Sequence, residues 1–212
     1  MVSGMSGVKS GDVRLPFRIH RDFLTIGQRI AILAWALDNR ARFRPAMLKS
    51  GLVDLEVRRA LYLRDLGPSR SILSRSVAEL VPQLVRDLPL TPFVIGGLEM
   101  ELVAYNDGAH FTLHTDTYTG ERGRRGDRVL SGVYYFYREP KMFSGGALRL
   151  QKLGVSSDGG SFPDITPEQN SLVVFHSWWP HEVRPVVCPS CDFADSRFAV
   201  NVWVYRASPG EK

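Results

Sequence analysis

The chain is poor in cysteine and contains no long apolar run. Its two cysteines, Cys188 and Cys191, are too few for the disulfide framework of a small secreted protein. No stretch of roughly 18 apolar residues is present, so we expect no membrane span. The N-terminal residues, MVSGMSGVKSGD, lack the apolar run of a signal peptide, and they predict a disordered lead over residues 1–12. These features favour a cytoplasmic protein.

Several common catalytic and cofactor-binding motifs are also missing. The chain has no P-loop, no GxGxxG fingerprint and no GxSxG elbow, which disfavours the nucleotide-binding and hydrolase folds built around them. The CPSC segment from Cys188 to Cys191 has no second CxxC to complete a four-ligand zinc site. A thioredoxin-like role would need this motif at a helix start within a βαβ unit, which the region lacks. We therefore interpret the CPSC segment as a loop.

Length and composition indicate one folded unit. The chain has 212 residues, of which 44% are hydrophobic and 23% charged, as is ordinary for a globular protein. No internal repeat or Pro/Ser-rich linker divides it, so we expect a single domain over residues 13–212. Residues 13–92 form a helical preface, and residues 93–206 contain short apolar runs separated by turns. This order predicts a mainly β fold with supporting helices (α+β), as in a sandwich or barrel backed by helices.

Two amphipathic helices are predicted in the preface. The first has Thr25 as a candidate N-cap. Its apolar stripe consists of Ile26, Ile30, Leu33 and Leu37. The second begins near Ser69, and Pro82 is expected to kink or restart it. Its apolar side carries Ile72, Leu73, Val77, Leu80 and Val81. Residues 53–63 fit neither a helix nor a strand clearly.

Positive charge is mild overall and concentrated in one segment. The net charge is +5, and four arginines crowd the segment from Arg122 to Arg128, GERGRRGDR. A solvated loop is the simpler interpretation, and a patch that attracts an acidic partner is the alternative. No aromatic residues alternate with these arginines, so base stacking is not expected and a nucleic-acid partner is disfavoured.

A histidine and a carboxylate lie two positions apart in the segment YNDGAHFTLHTD. His114 and Asp116 end a predicted strand, where residues i and i+2 share a face about 7 Å apart. Such a pair can bind one small cation, although a His-x-Asp pair is weak evidence alone. His176 and His181 are both candidates for a third ligand. We prefer His181, because a proline turn precedes it and an extended path resumes after it.

Two imidazoles and one carboxylate on one face of a metal leave three positions open, which suits non-haem Fe(II) oxygenases. Arg197 opens the last predicted strand and offers a planar, permanently charged fork to the carboxylate of an acidic cosubstrate. Tyr105 and Tyr135 are candidate neutral partners of that cosubstrate, and core aromatic packing is an equal alternative for each. Trp203 lies on the same strand face as Arg197 and is a candidate wall of the same pocket.

Taken together and in order, these segments resemble the Fe(II)- and 2-oxoglutarate-dependent dioxygenases, in their prolyl 4-hydroxylase-like branch. The resemblance covers most of residues 98–205, whereas residues 1–92 fit only loosely. The matching segments are Tyr105, His114-Thr-Asp116, Val133-Tyr-Tyr-Phe136, Ser144-Gly-Gly-Ala-Leu-Arg149, Pro180-His-Glu-Val183 and Arg197-Phe-Ala-Val-Asn-Val-Trp203.

The resemblance implies a double-stranded β-helix, that is, a jelly roll of the cupin-like kind. It also implies Fe(II), 2-oxoglutarate and O2 as cofactors and cosubstrates, with ascorbate as an optional reductant. The implied roles are Fe(II) binding by His114, Asp116 and His181, C5-carboxylate binding by Arg197, and hydrogen bonding to 2-oxoglutarate by Tyr105 and Tyr135. Asp116 further implies hydroxylation, because related halogenases have Gly or Ala at that position.

The expected activity is hydroxylation of an unactivated C–H bond, with release of succinate and CO2. A prolyl residue, free proline or a proline-like small molecule is the expected substrate. Arg197 follows His181 by 16 positions, more than is usual in the family, so we expect the CPSCDFAD segment to be a loop insertion. If it is not, Arg184 is the rival carboxylate partner. The alternative functions are a non-catalytic jelly-roll module that binds a metal or acidic ligand, and a cupin enzyme that uses another metal.

Overall fold

The computed structural model describes residues 15–48, 50–117, 127–153 and 160–207. The predicted lead over residues 1–12 and most of the Arg122–Arg128 segment lie outside these ranges. The described chain forms the helices α1 (Ile26–Asp38) and α2 (Ser69–Asp87) and the 3-10 turns Arg40–Arg42 and Phe193–Asp195. The strands are β1 (Phe17–His20), β2 (Arg44–Pro45), β3 (Arg58–Arg59), β4 (Leu61–Leu63), β5 (Ile95–Tyr105), β6 (His110–His114), β7 (Arg128–Phe136), β8 (Ser144–Gly145), β9 (Leu148–Leu150), β10 (Ser171–His176), β11 (His181–Val183), β12 (Val186–Val187) and β13 (Arg197–Arg206).

The larger sheet places the long strands β7, β13 and β5 side by side at its centre. Its order is β1-β10-β7-β13-β5-β4-β2, and its neighbours pair antiparallel. Because side chains alternate between the two faces of a strand, each central strand contributes to two cores. Leu102, Tyr134 and Val200 face the helices, whereas Val103 and Ala199 belong to the second core on the opposite face.

The smaller sheet lies across that second core. Its order is β3-β6-β11-β9, and β12 pairs with β8 in a separate two-stranded sheet. Residues from both sheets, among them Tyr135, Leu150 and Phe175, form one buried cluster. The prediction of a mainly β fold with supporting helices is confirmed. No helix in the described part of the chain combines the length and the apolarity that crossing a membrane requires.

Helix α1 begins as predicted but buries a different face. The Thr25 hydroxyl accepts from the backbone N–H of Gln28, and the Gln28 side chain accepts from the backbone N–H of Thr25, forming a capping box. Ile26 and Ile30 are 69% and 56% exposed, so the N-terminal half of the predicted stripe is wrong. The C-terminal half, Leu33 and Leu37, packs partly buried against the core, as predicted. The fully buried row is Ile32 and Ala36, whose four-residue spacing places them on one side of the helix.

Helix α2 continues through Pro82 as one element, so the expected restart at this proline is wrong. Its buried row consists of Leu73, Val77, Val81 and Leu84, which flanks Pro82 on both sides. A proline inside a helix costs about 3 kcal/mol. Burying each large apolar side chain contributes about 2 kcal/mol, so the row together outweighs that cost. Packing against the larger sheet therefore decides the length of this helix.

The ambiguous segment 53–63 crosses between the two sheets. Strand β3 pairs with β6 in the smaller sheet, and β4 pairs with β5 in the larger one. Only Ala60 separates these two short strands. This explains the unclear sequence pattern, because neither strand is long enough to show a period.

Candidate metal centre and anion pocket

The structure brings the three predicted metal ligands together. His114 ends β6, Asp116 follows two residues later, and His181 opens β11 directly opposite His114. The His114 Nε2 atom lies 3.8 Å from Asp116 Oδ1, and His181 Nε2 lies 3.6 Å from Asp116 Oδ2. One ligand atom from each residue lies within 4.8 Å of the others, a spacing that fits a single metal ion.

Backbone carbonyls set the orientation of both imidazoles. His114 Nδ1 lies 2.8 Å from the carbonyl oxygen of Thr112, and His181 Nδ1 lies 2.8 Å from that of Trp179. A carbonyl only accepts, so each Nδ1 carries the proton in these bonds. The Nε2 lone pairs are therefore free to bind a metal, as is usual for metal-binding histidines.

Burial and mutual charge set the protonation states of this cluster. Burial, reinforced by the charge of His181, lowers the pKa of His114 to about 3. Burial by itself raises the pKa of Asp116, but His181, His114 and the Ser131 hydroxyl together bring it below its usual value. At neutral pH His114 is thus neutral and Asp116 is ionised, the forms that bind metal.

The Asp116 carboxylate is held from the larger sheet. Ser131 Oγ donates to Asp116 Oδ2 at 2.6 Å. Because that bond uses the Ser131 proton, the Ser177 hydroxyl, 3.0 Å away, is the donor between the two serines. Arg128 Nη1 donates to the backbone carbonyl of Asp116 at 3.2 Å. The Ser131 bond restrains the Asp116 carboxylate, and the Arg128 bond restrains the Asp116 backbone.

Arg197 is a buried cation with no hydrogen-bond partner among the described residues. Its side chain is 1% exposed, and its Nε, Nη1 and Nη2 atoms are all buried. The guanidinium carbon lies 4.8 Å from the ring centroid of Tyr105 and 4.7 Å from that of Tyr135. Isolated burial of a charge is costly, so this arrangement fits an anion that binds there and supplies the missing partners. A carboxylate matches the guanidinium fork.

A glycine makes room for this arginine. Gly146, just before β9, has φ +66°, and a Cβ atom built there would lie 2.6 Å from Arg197 Cδ. The adjacent Gly145 also has a positive φ of +69°. The turn between β8 and β9 therefore depends on glycine for both its backbone conformation and its space.

The remaining predicted pocket residues occupy two different positions. Tyr105 and Trp203 line the same cavity of about 260 Å³ as the three ligands and Arg197. Tyr135 is fully buried behind Arg197, and its hydroxyl has no hydrogen-bond partner among the described residues. Burial raises the pKa of Tyr135, although the charge of Arg197 opposes that rise. Tyr135 therefore remains a neutral donor at the anion end of the site.

Sequence reasoning missed two ion pairs on the cavity wall, of which Arg58–Glu101 is buried and Arg128–Glu99 is half-exposed at its carboxylate. Arg58 Nη2 lies 2.5 Å from Glu101 Oε1, and Arg128 Nη2 lies 2.8 Å from Glu99 Oε2. Arg128 also stacks over Trp203, with its guanidinium carbon 4.1 Å from the ring centroid. The sequence pattern that could have predicted these pairs is Glu-x-Glu in β5, because its alternation places both carboxylates on the strand face that carries Tyr105. Arg128 is thus a wall residue, whereas Arg122 and its neighbours lie outside the described residues.

Three other candidates lie away from this cavity. His176 is half-buried beside Trp178 and is not part of the three-ligand cluster. Arg184 is 42% exposed, and its Nη1 lies 3.4 Å from Glu182 Oε1. Cys188 is buried and Cys191 exposed, both are free thiols, and the segment between them is irregular, as the loop interpretation predicted.

Comparison with known proteins decides the family. The sequence profile of the 2OG-Fe(II) oxygenase superfamily matches residues 100–205. The chain belongs to this superfamily. A curated relative, an uncharacterized PKHD-type hydroxylase from Synechocystis, is 32% identical over 190 residues. The alignment covers 88% of this chain but only 62% of that relative. This member of the superfamily therefore spans less than two thirds of the relative's length.

Solved structures confirm the jelly-roll fold of this superfamily member. A Trichoplax adhaerens prolyl hydroxylase, solved with a hypoxia-inducible-factor peptide fragment, superposes with a TM-score of 0.68 at 21% identity. That match covers 90% of this chain and 84% of the other. A Pseudomonas putida prolyl-4-hydroxylase gives a TM-score of 0.61 at 23% identity, covering 91% and 94% of the two chains. The oxygenase superfamily predicted from the sequence is confirmed by the profile match, and these structures confirm its fold.

Proposed function

We propose that this chain is an Fe(II)- and 2-oxoglutarate-dependent hydroxylase in which His114, Asp116 and His181 bind the iron. Arg197 binds the C5 carboxylate of 2-oxoglutarate, and Trp203 forms part of the cavity wall. These two imidazoles and one carboxylate would hold the iron, a donor set that suits oxygenase chemistry with an added cosubstrate. Asp116 occupies a ligand position and favours hydroxylation over halogenation.

The observation that carries this proposal is the buried, unpartnered guanidinium of Arg197 in the same cavity as the three ligands. A cupin enzyme without an acidic cosubstrate has no need for a desolvated cation at this place. Formation of succinate distinguishes the proposed enzyme from a non-catalytic module that binds an acidic ligand. The Arg197 guanidinium favours an anionic ligand such as 2-oxoglutarate over a neutral one.

The side chains have separate tasks in the reaction. When bound, iron and 2-oxoglutarate supply the oxidising chemistry, which consumes O2, releases succinate and CO2, and hydroxylates a substrate C–H bond. His114 and His181 present Nε2 lone pairs in fixed directions because their Nδ1 atoms are bound to carbonyls. Tyr105 and Tyr135 lie against the Arg197 guanidinium and direct their aromatic faces to it, which keeps water from the anion end. Ascorbate would be an optional external reductant.

For the substrate, we propose a prolyl residue, free proline or a proline-like small molecule. The likeness to prolyl hydroxylases of known structure supports this class, and one of those was solved with a peptide bound. Trp203, with its ring against Arg128, offers a flat apolar wall on the substrate side of the cavity. A saturated five-membered ring can pack on such a surface.

The decisive experiment measures 2-oxoglutarate binding and turnover separately. We expect the unmodified chain with Fe(II) to bind 2-oxoglutarate without O2 and to form succinate in air. Arg197→Met should weaken 2-oxoglutarate binding at least 100-fold, because an interaction between fully desolvated charges is lost. Arg184→Met, at a partly exposed arginine outside the cavity lining, is the matched control and should bind normally. If the unmodified chain bound no 2-oxoglutarate at millimolar concentration, the proposal would be wrong.

A further inference from the structure

We propose that Arg58 and Glu101 form a positioning pair that holds the His114 imidazole at the metal site through the ring of Phe111. This inference depends on the proposed role of His114 as a metal ligand. Neither Arg58 nor Glu101 touches the three-ligand cluster directly. They act through an intervening aromatic ring.

Three side chains lie in layers beside the metal site. Arg58 opposes Phe111 in the pairing of β3 with β6, and its guanidinium carbon lies 5.0 Å from the Phe111 ring centroid. The Phe111 ring stacks on His114 with the centroids 3.5 Å apart and the planes at 18°. The bond from Nδ1 to Thr112 holds one edge of the imidazole, and the stacked ring holds its plane. Both restraints are needed to fix the direction of Nε2.

Glu101 allows a positive charge to stay in this buried layer. Arg58 is 7% exposed, and Glu101 Oε1 lies 2.5 Å from its Nη2 atom. Arg58 Nη1 donates to the Met47 carbonyl at 3.3 Å, which anchors the other arm of the fork. An uncompensated guanidinium at this depth would repel a divalent cation bound by His114. The Arg58–Glu101 pair has no net charge, and its guanidinium still presents a planar cation to the Phe111 face.

Stability alone does not explain why an ion pair occupies this position. Buried ion pairs are often no more stabilising than well-packed apolar side chains of similar size. The Arg58–Glu101 pair lies on the cavity wall, one ring away from a predicted ligand. Outer contacts of this kind commonly change metal affinity by about 10- to 100-fold. The position therefore favours a role in holding His114.

The test is anaerobic Co(II) titration of the full chain, followed by the visible absorption of the bound ion. We expect Glu101→Gln to weaken Co(II) binding by about 10- to 100-fold, because it leaves Arg58 uncompensated. The double variant Arg58→Met with Glu101→Gln should bind more tightly than Glu101→Gln and more weakly than the unmodified chain. Its Co(II) absorption band should also shift, because the stack that orients His114 is lost. Glu168→Gln, which breaks the exposed pair with Arg21, is the matched control and should change nothing.

Two results separate this inference from the proposed function. If both Arg58–Glu101 variants bound Co(II) with unchanged affinity and spectrum while His114→Ala lost binding, the positioning role would be overturned and the metal site would stand. If the unmodified chain bound no Co(II) or Fe(II), the metal-site proposal itself would fail. The double variant buries no lone charge, so it provides the comparison even if Glu101→Gln folds poorly.

Discussion

At the scale of single residues, the site depends on which polar groups have partners and which do not. Asp116 accepts one hydrogen bond from Ser131 and keeps carboxylate lone pairs for a metal, whereas Arg197 is buried without a partner among the described residues. The sequence predicted that His114, Asp116, His181 and Arg197 would converge, because their residue types and order are specific. It did not reveal Ser131, because a serine in an apolar strand carries no pattern that identifies its partner.

Ser131→Ala tests how far the Asp116 carboxylate depends on that hydroxyl. Without the donor, Asp116 Oδ2 loses a 2.6 Å hydrogen bond and gains freedom to rotate. We expect metal affinity to fall by about 10-fold, as is usual when an outer hydrogen bond to a ligand is removed. Anaerobic Fe(II) titration measures the change. Ser171→Ala, at an equally buried serine whose hydroxyl donates to Glu168, is the control and should leave affinity unchanged.

At the scale of elements, strand register and one turn bring the cosubstrate-binding groups together. Arg197 pairs opposite Tyr105, and two residues further along β13 Ala199 pairs opposite Tyr135. The connection that leads from β12 to Arg197 is docked and not loose. Phe193 packs on Phe198 with ring centroids 5.2 Å apart, and the Asn106 side chain donates to Asp192 at 2.8 Å. The CPSCDFAD segment is therefore packed against the fold, and Arg197, which follows it, begins β13 at the cavity.

Gly146→Ala should displace Arg197 from its binding position. A Cβ atom at Gly146 would lie 2.6 Å from Arg197 Cδ, and the positive φ adds backbone strain of about 1 kcal/mol. We therefore expect 2-oxoglutarate binding to weaken about 10-fold or more, together with a lower midpoint of thermal unfolding. Isothermal titration calorimetry with 2-oxoglutarate is the measurement. Gly27→Ala meets no atom within 4 Å and serves as the control; equal 2-oxoglutarate affinity in the two variants would contradict the steric argument.

At the scale of the whole molecule, one sheet separates two environments. Its outer face packs on α1 and α2, and its inner face, with the smaller sheet, encloses the cavity. Several titratable side chains at these boundaries are buried, and burial disfavours their charged forms. Burial lowers the pKa of His176 from 6.5, and its Nδ1 atom has no hydrogen-bond partner among the described residues. The folded state therefore resists protonation of this histidine.

The stability of the metal-free chain should fall as the pH falls below about 6.5. The unfolded chain binds a proton at His176 in that range and the folded chain does not, so acidification favours unfolding. Burial also lowers the pKa of His20 and adds to the effect in the same direction. We expect the urea midpoint of His176→Gln to drop less than that of the unmodified chain between about pH 7.5 and pH 5.5. Equal drops in both proteins would contradict the assignment to His176.

The sequence by itself determined the fold class and the residues that converge on the cavity. It did so because short apolar runs and turn residues are local signals, and because the His-x-Asp, His and Arg series occurs in the order that resembles the family. Only the tertiary structure decided which face of α1 is buried, that α2 continues through Pro82, and that residues 53–63 cross between the sheets. It alone also paired Arg58 with Glu101 and left Arg197 without a partner among the described residues. These outcomes depend on contacts between segments distant in sequence, where burial outweighs local propensity and where the partner of a charge is set by packing.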